Sequence, residues 1–283
     1  MSAPAAVAAD PAVPARDTTR PLPFKPAARA VFELALDAML WTKRTLVMAV
    51  LVAMPVVFAV VYRVVLAGKW NVQPVTPGDL YAIFVAVYWI RNVLPLVALF
   101  YATALVADEV EGRTLTYLVT RPITRGAIFA GKFAAYLVTT LCLALPACVL
   151  AFLLLLSTRG LSALGPAAVD LLRDLAVLAL TLLVYGAFFA LLGVLLKRPV
   201  IPGLVFLYGW ELLANLPGYL PRLTLTAWLR SLITHRPAQE GLAGLFQQVF
   251  PPSQAIPFLL VVSALFLYGG ARIFSAREYV LEQ

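Results

Sequence analysis

The chain has 283 residues, 62% of them hydrophobic and 13% charged, with a formal net charge of +8. A soluble domain carries about 45–50% apolar and about 25% charged residues, and several apolar runs here exceed the roughly 18 residues that mark a spanning helix, so the chain is a polytopic all-α membrane protein. Nucleic-acid binding is excluded too, because the Lys and Arg residues are scattered at run ends instead of forming one basic stripe.

In chain order, residues 1–26 are rich in Pro and Ala, with Asp10 interrupting any apolar stretch, and read as a disordered cytoplasmic tail. Residues 27–44 form a helix with a polar stripe of Arg29, Glu33, Asp37 and Arg44. It is either a helix lying in the membrane interface, with Trp41, Lys43 and Arg44 at the entry point, or an extension of the first span. Six spans are expected, at about 45–66, 80–106, 127–156, 171–196, 200–216 and 255–274. Pro55 and Pro146 are kink candidates in the first and third. The fourth carries Gly186, Ala190 and Gly193, a small-residue spacing that permits close helix contact and favours packing within the chain. Residues 217–254 form the longest connection, with two weakly amphipathic helical pieces around 223–234 and 241–250.

Lys and Arg counts set the orientation. With the N-terminus inside, the inner loops and ends hold fourteen of these residues and the outer ones seven, with Arg91 left in mid-membrane. Both termini and the loop between the second and third spans are then cytoplasmic, and 217–254 is extracytoplasmic. That loop is the most organised polar stretch of the chain. Asp108, Glu109 and Glu111 end an apolar run, and Gly112 sits where a C-terminal cap would. Leu115, Leu118 and Val119 line one face of a short helix, and Pro122 stops it. Thr124 is placed to cap the third span, whose first turns carry Arg125 and Lys132.

Enzymatic chemistry finds no footing. Residues 126–132 match a phosphate-loop pattern through Lys132, but Phe133 replaces the Ser or Thr that would bind magnesium, and no strand precedes it. His235 is the single histidine, and no serine sits in a GxSxG elbow. Cys142 and Cys148 read as packed thiols. Asp170 and Asp174 flank Arg173 and read as a solvated helix start. Two charges remain inside spans, Arg91 and Glu211, and each needs a partner, a cavity or an interface. Either they pair with each other, or backbone carbonyls at a Pro95 kink neutralise Arg91.

The inner loop resembles the membrane subunits of ABC-2-type ATP-binding-cassette exporters. The resemblance lies in Glu109, Glu111, Gly112, Arg113, Leu115, Leu118, Arg121, Pro122, Ile123, Thr124, Arg125, Gly131 and Lys132, and in the six-span layout over 27–283. It implies a permease in the inner (plasma) membrane that forms the translocation pathway with a second copy or a sister permease. Residues 107–126 would be a cytoplasmic coupling segment docked on separate ABC ATPase subunits, engaging them through Glu109, Glu111, Gly112, Arg113, Leu115, Leu118, Arg121, Pro122 and Arg125. On this reading ATP and magnesium belong to the partner, and the chain itself holds no cofactor or metal. Two rival classes are a stand-alone secondary transporter using Arg91 and Glu211, and a membrane scaffold with no transport cycle. The absence of a repeat and the scarcity of buried acids weigh against the first, and the conspicuous inner loop weighs against the second.

Overall fold

The computed structural model describes residues 23–68, 76–111, 124–159, 164–216, 218–234 and 250–276. Its elements are helical throughout: α1 (Phe24–Leu40), α2 (Lys43–Ala67), α3 (Pro77–Ile83), a π-helical stretch Phe84–Val93, α4 (Leu94–Glu111), α5 (Arg125–Leu156), α6 (Leu164–Leu195), α7 (Val200–Tyr208), α8 (Leu225–Ser231) and α9 (Pro252–Ala276). Five segments are long and apolar enough to cross a membrane: Lys43–Ala67, Pro77–Leu105, Arg125–Leu156, Ala167–Leu195 and Pro252–Ala276. The fifth expected span is different. It is a nine-residue α-helix followed by a 3₁₀ segment, Trp210–Asn215. Gly209, which has no side chain to pack against the preceding turn, sits at the change of pitch and donates to the Val205 carbonyl at 2.7 Å.

Local chemistry explains the other boundaries. Thr42 accepts a hydrogen bond from the Thr45 N–H at 3.3 Å and starts α2, so α1 is a separate helix and not an extension of the first span. Thr76 caps the next helix through the Asp79 N–H at 3.2 Å, with Pro77 at its first position, where a missing N–H costs nothing. Thr124 stands at the N-cap of α5, but its side chain makes no capping bond. The Pro95 expectation resolves into a wider device. Pro95 has no N–H and its ring crowds the carbonyl four residues back, and the ten residues just before α4 relax into π-helical turns.

Proline inside α2 has a specific repair. Pro55 cannot donate to the Leu51 carbonyl, and the Tyr88 hydroxyl of the π-helical stretch donates to that oxygen at 2.6 Å. Trp89 Nε1 donates to the neighbouring Val52 carbonyl at 3.1 Å. In α5, Tyr136 reaches across to the Leu182 carbonyl of α6 at 2.9 Å. The core lies along α4 and α6, which bury Leu94, Leu99, Tyr185 and Phe189, while α2 leaves Leu46, Val50, Val57, Val61 and Val64 on the outer face.

The small-residue series in α6 works within the chain. Gly186 packs on the Tyr136 ring and Gly193 on the Thr103 backbone of α4. A Cβ on Gly193 would stand 2.8 Å from the Thr103 carbonyl oxygen and 3.0 Å from its Cα, atoms that cannot rotate away. Gly193→Leu should therefore destabilise the fold by about 1–3 kcal/mol, the usual cost of overpacking. Gly165→Ala, where a Cβ would meet nothing within 4 Å, is the neutral control. Thermal melts of the purified protein in detergent check the difference, and equal melting temperatures would refute the tight contact.

Candidate functional site

Two regions carry the polar chemistry. The first is the frame around the inner loop. Helix α4 runs to Glu111, one residue before Gly112, and α5 starts at Arg125. Gly112, Arg113, Leu115, Leu118, Arg121 and Pro122 lie outside the described residues, as do residues 1–22 of the expected tail. Glu109 and Glu111 stand in the last turns of α4.

The two stems of the loop are fastened to each other and to their neighbours. Lys132 Nζ of α5 donates to the Leu105 carbonyl of α4 at 3.0 Å, and Arg125 reaches the Ser275 carbonyl at the end of α9 at 3.4 Å. Arg44 at the start of α2 reaches the Phe100 carbonyl at 3.4 Å. Ser275 is the penultimate residue of α9, so the Arg125 guanidinium there also complements the negative end of that helix. Helix α1 lies across the same frame. Gly131 has no side chain, so the Ala28 carbonyl comes within 2.5 Å of where a Cβ would be. Phe129 of α5 packs on Phe274 of α9, with ring centres 6.1 Å apart. The ends of α4, α6 and α9 and the start of α5 thus meet at one end of the bundle, where the inner loop is attached. At the opposite end Arg63 of α2 donates to the Ser157 hydroxyl at 3.1 Å, and Tyr81 stacks edge-on against Phe152 at 5.4 Å.

The second region lies near mid-span. Arg91 and Glu211 do not pair with each other. Arg91 donates to Asn215 Oδ1 at 3.1 Å, and Arg230 of α8 donates to the same oxygen at 3.3 Å. Glu211 is buried, and its carboxylate accepts from the Leu225 and Thr226 N–H groups at 3.2 and 3.1 Å. It caps α8, whose first N–H groups have no partner within that helix. Thr226 in turn meets the Tyr185 hydroxyl of α6 at 2.8 Å. The backbone-carbonyl alternative for Arg91 fails as well, since an amide side chain takes the role. Asn92 satisfies itself on the Val87 carbonyl at 2.6 Å.

Sequence reasoning missed Asn215 and Arg230, which come from segments far from Arg91 along the chain. It also misread Asp174. That residue is 0% exposed and not part of a solvated helix start, because α6 turns it inward while Asp170 and Arg173 form a half-exposed pair at 3.6 Å. The Tyr81 hydroxyl faces the Asp174 carboxyl and meets Cys148 Sγ at 3.4 Å. The alternation of Asp170 outward and Asp174 inward falls on one helix turn, where an i, i+4 pair normally shares a face, so spacing gave no signal. His235 lies outside the described residues, and no group of three metal-ligating side chains occurs among the described ones.

With five apolar helices of spanning length, the chain is a multi-pass membrane protein. A family model described as ABC-2 family transporter protein matches residues 39–209, and the chain belongs to that family. It is a transporter permease of the ABC-2 type. No curated protein matches it at a significant level. The match covers α2 to α7 and includes the inner loop and its stems, and it ends before the segment that supplies Asn215 and Arg230.

The geometry separates two roles that sequence alone left joined. Glu211→Ala strips the acceptor from two buried N–H groups, and hydrogen bonds to a charged group are worth about 1.5–3 kcal/mol, so a loss of stability of at least that size is expected. An Arg91→Glu/Glu211→Arg exchange should show no rescue. Its coupling energy in a double-mutant cycle, measured by thermal or denaturant unfolding, should stay below about 0.5 kcal/mol.

Proposed function

We propose that the chain is the pathway-forming subunit of an ABC exporter, driven by separate cytoplasmic ATPase subunits that bind its inner loop. The observation that carries this reading is the fastened pair of stems, Lys132 of α5 bonded to Leu105 of α4, on either side of the inner loop. A push delivered to these stems displaces α4 and α5 together. Residues 107–126 are the coupling segment, with Leu115 and Leu118 as its apolar face and Glu109, Glu111, Arg113, Arg121 and Arg125 as its charged surround. ATP and magnesium stay with the partner. Two copies of the permease, or this one and a sister, enclose the pathway in the inner membrane, and α1 lies in the cytoplasmic interface.

Six crossings fit the packing better than five. Both α6 and α9 finish beside the stems: Gly193 of α6 lies on Thr103, and Gly270 of α9 lies on Phe129. A helix of 25 residues rises about 37 Å, so α9 begins at the far side. On this reading the chain travels back across between Leu195 and Pro252, and α7, the 3₁₀ segment and α8 make a broken crossing. Its irregular backbone is supplied with partners: Trp210 Nε1 donates to the Leu223 carbonyl at 3.1 Å and Trp228 Nε1 to the Arg222 carbonyl at 2.9 Å. A stand-alone proton- or ion-coupled carrier fits less well, since Glu211 is committed to capping α8.

Two experiments test the reading. Reporter proteins fused at each end should both report the cytoplasm; five crossings would put them on opposite sides. The tagged chain should purify with Mg-ATP hydrolysis, and Leu115→Glu/Leu118→Glu should abolish that activity while the melt of the permease itself is unchanged. Hydrolysis retained at the full level in this variant would remove the coupling role.

A further inference from the structure

Arg91 and Arg230 are an unusual pair. They come from the π-helical stretch and from α8, and both guanidiniums close on a single atom, Asn215 Oδ1. An amide oxygen carries a partial charge only, so two full positive charges stand together on a neutral acceptor. No carboxylate among the described residues forms an ion pair with either. Glu211, four residues before Asn215, is turned to the α8 N–H groups instead. Arg91 is also the central residue of the Pro77–Leu105 span. Depth and mutual repulsion both make this arrangement costly to keep. An arrangement of this kind is retained where a third party supplies the missing negative charge.

We propose that Arg91, Arg230 and Asn215 form a binding subsite for the phosphate-bearing headgroup of an anionic amphiphile. Two guanidinium forks offer bidentate donors that match phosphate oxygens. Asn215, which holds the forks in the absence of ligand, retains a side-chain amide that donates to the Leu212 carbonyl at 3.4 Å, so it stays in place when an anion takes over the forks. The segment that carries Asn215 also offers an apolar rim to a hydrocarbon tail: Leu212 and Leu216, on either side of Asn215 in the chain, are exposed, and so are Tyr219, Leu220 and Leu223 further along it. A bare inorganic anion has no use for that rim, whereas an amphiphile covers it. The π-helical turns add a reason for the position, because such wide turns recur at functional sites and Arg91 lies within them. Binding itself does not depend on an ATPase. Only the placement of this subsite on an export route rests on the reading proposed above, so the test is done with the permease alone.

The full chain, purified in detergent, is titrated with dihexanoyl phosphatidylglycerol, dihexanoyl glycerol and inorganic phosphate, with the melting temperature as readout. Phosphatidylglycerol should raise it saturably, and the neutral diacylglycerol of equal chain length should not. Arg91→Gln/Arg230→Gln should weaken the lipid response by at least about tenfold, since charge-assisted hydrogen bonds are lost at both forks. Arg91→Lys/Arg230→Lys should retain an intermediate response. Without lipid the Gln variant should melt no lower than the wild type, because it removes a like-charge contact. Should the Gln variant fail to fold, the wild type still decides: its response to phosphatidylglycerol must fall as salt is raised. An equal response to the neutral lipid, an undiminished response in the Gln variant, or a wild-type response indifferent to salt overturns the subsite. A full response to inorganic phosphate alone overturns the amphiphile assignment.

Discussion

A backbone amide in hydrocarbon has no water to fall back on, and that constraint governs every irregular feature of this bundle. Unbroken helices meet it by themselves. At several places where the ladder fails, a side chain takes over. The carbonyl freed by Pro55 takes the Tyr88 hydroxyl, the first N–H groups of α8 take the Glu211 carboxylate, and the carbonyls at Arg222 and Leu223 take two indole N–H groups. Glu211 is thus buried for a structural reason, and its presence in an apolar stretch does not by itself signal transport chemistry.

Contacts along α4 decide which parts of the molecule can move as units. Helix α4 is in contact with nearly everything relevant to transport. Leu105 at one end takes the Lys132 ammonium, Thr103 lies under Gly193, Leu99 lies under Gly203, and the π-helical turns beyond Leu94 carry Arg91 to Asn215. These contacts run from the loop stems to the 3₁₀ segment along one element. Close backbone packing at Gly193 leaves little room for α4 to slide without carrying α6 with it. A displacement at the stems has a continuous packed path to the centre of the membrane, which is the physical prerequisite for coupling a partner's closure to a change in the pathway.

Much of this was legible in the sequence, and the exceptions share a cause. Run lengths placed five of the six expected spans within a few residues, because apolarity over about 20 residues is a strong and local signal. The separate helix α1 was legible as an alternative, and the Thr42 cap decides it. The break at Gly209 was not read, since 200–216 is one apolar run and the change of pitch after Tyr208 leaves no mark in its composition. Arg91 and Glu211 were flagged correctly as charges needing partners, but the partners were misjudged. Depth counted from span ends assumes straight α-helices, and here one charge rides on π-helical turns and the other on a 3₁₀ segment. Asp174 was misread because charge spacing on a helix start says nothing about which way the helix is rotated in the bundle.

Breaks and charges coincide in this protein, and the coincidence follows from energetics. A straight apolar helix exposes no polar backbone and gives a charged side chain nothing to bond except another side chain. A broken crossing brings carbonyls, N–H groups and small amide side chains to the same depth, and so it lowers the cost of keeping ionisable groups there. The 209–231 segment supplies such groups through Asn215 and the start of α8, and the residues that use them, Arg91, Glu211 and Arg230, cluster around it. Glu211 spends its charge on that scaffold, while Arg91 and Arg230 do not. The excess positive charge is therefore a consequence of how the break is built, and it is located where a passing or resident anion would meet it.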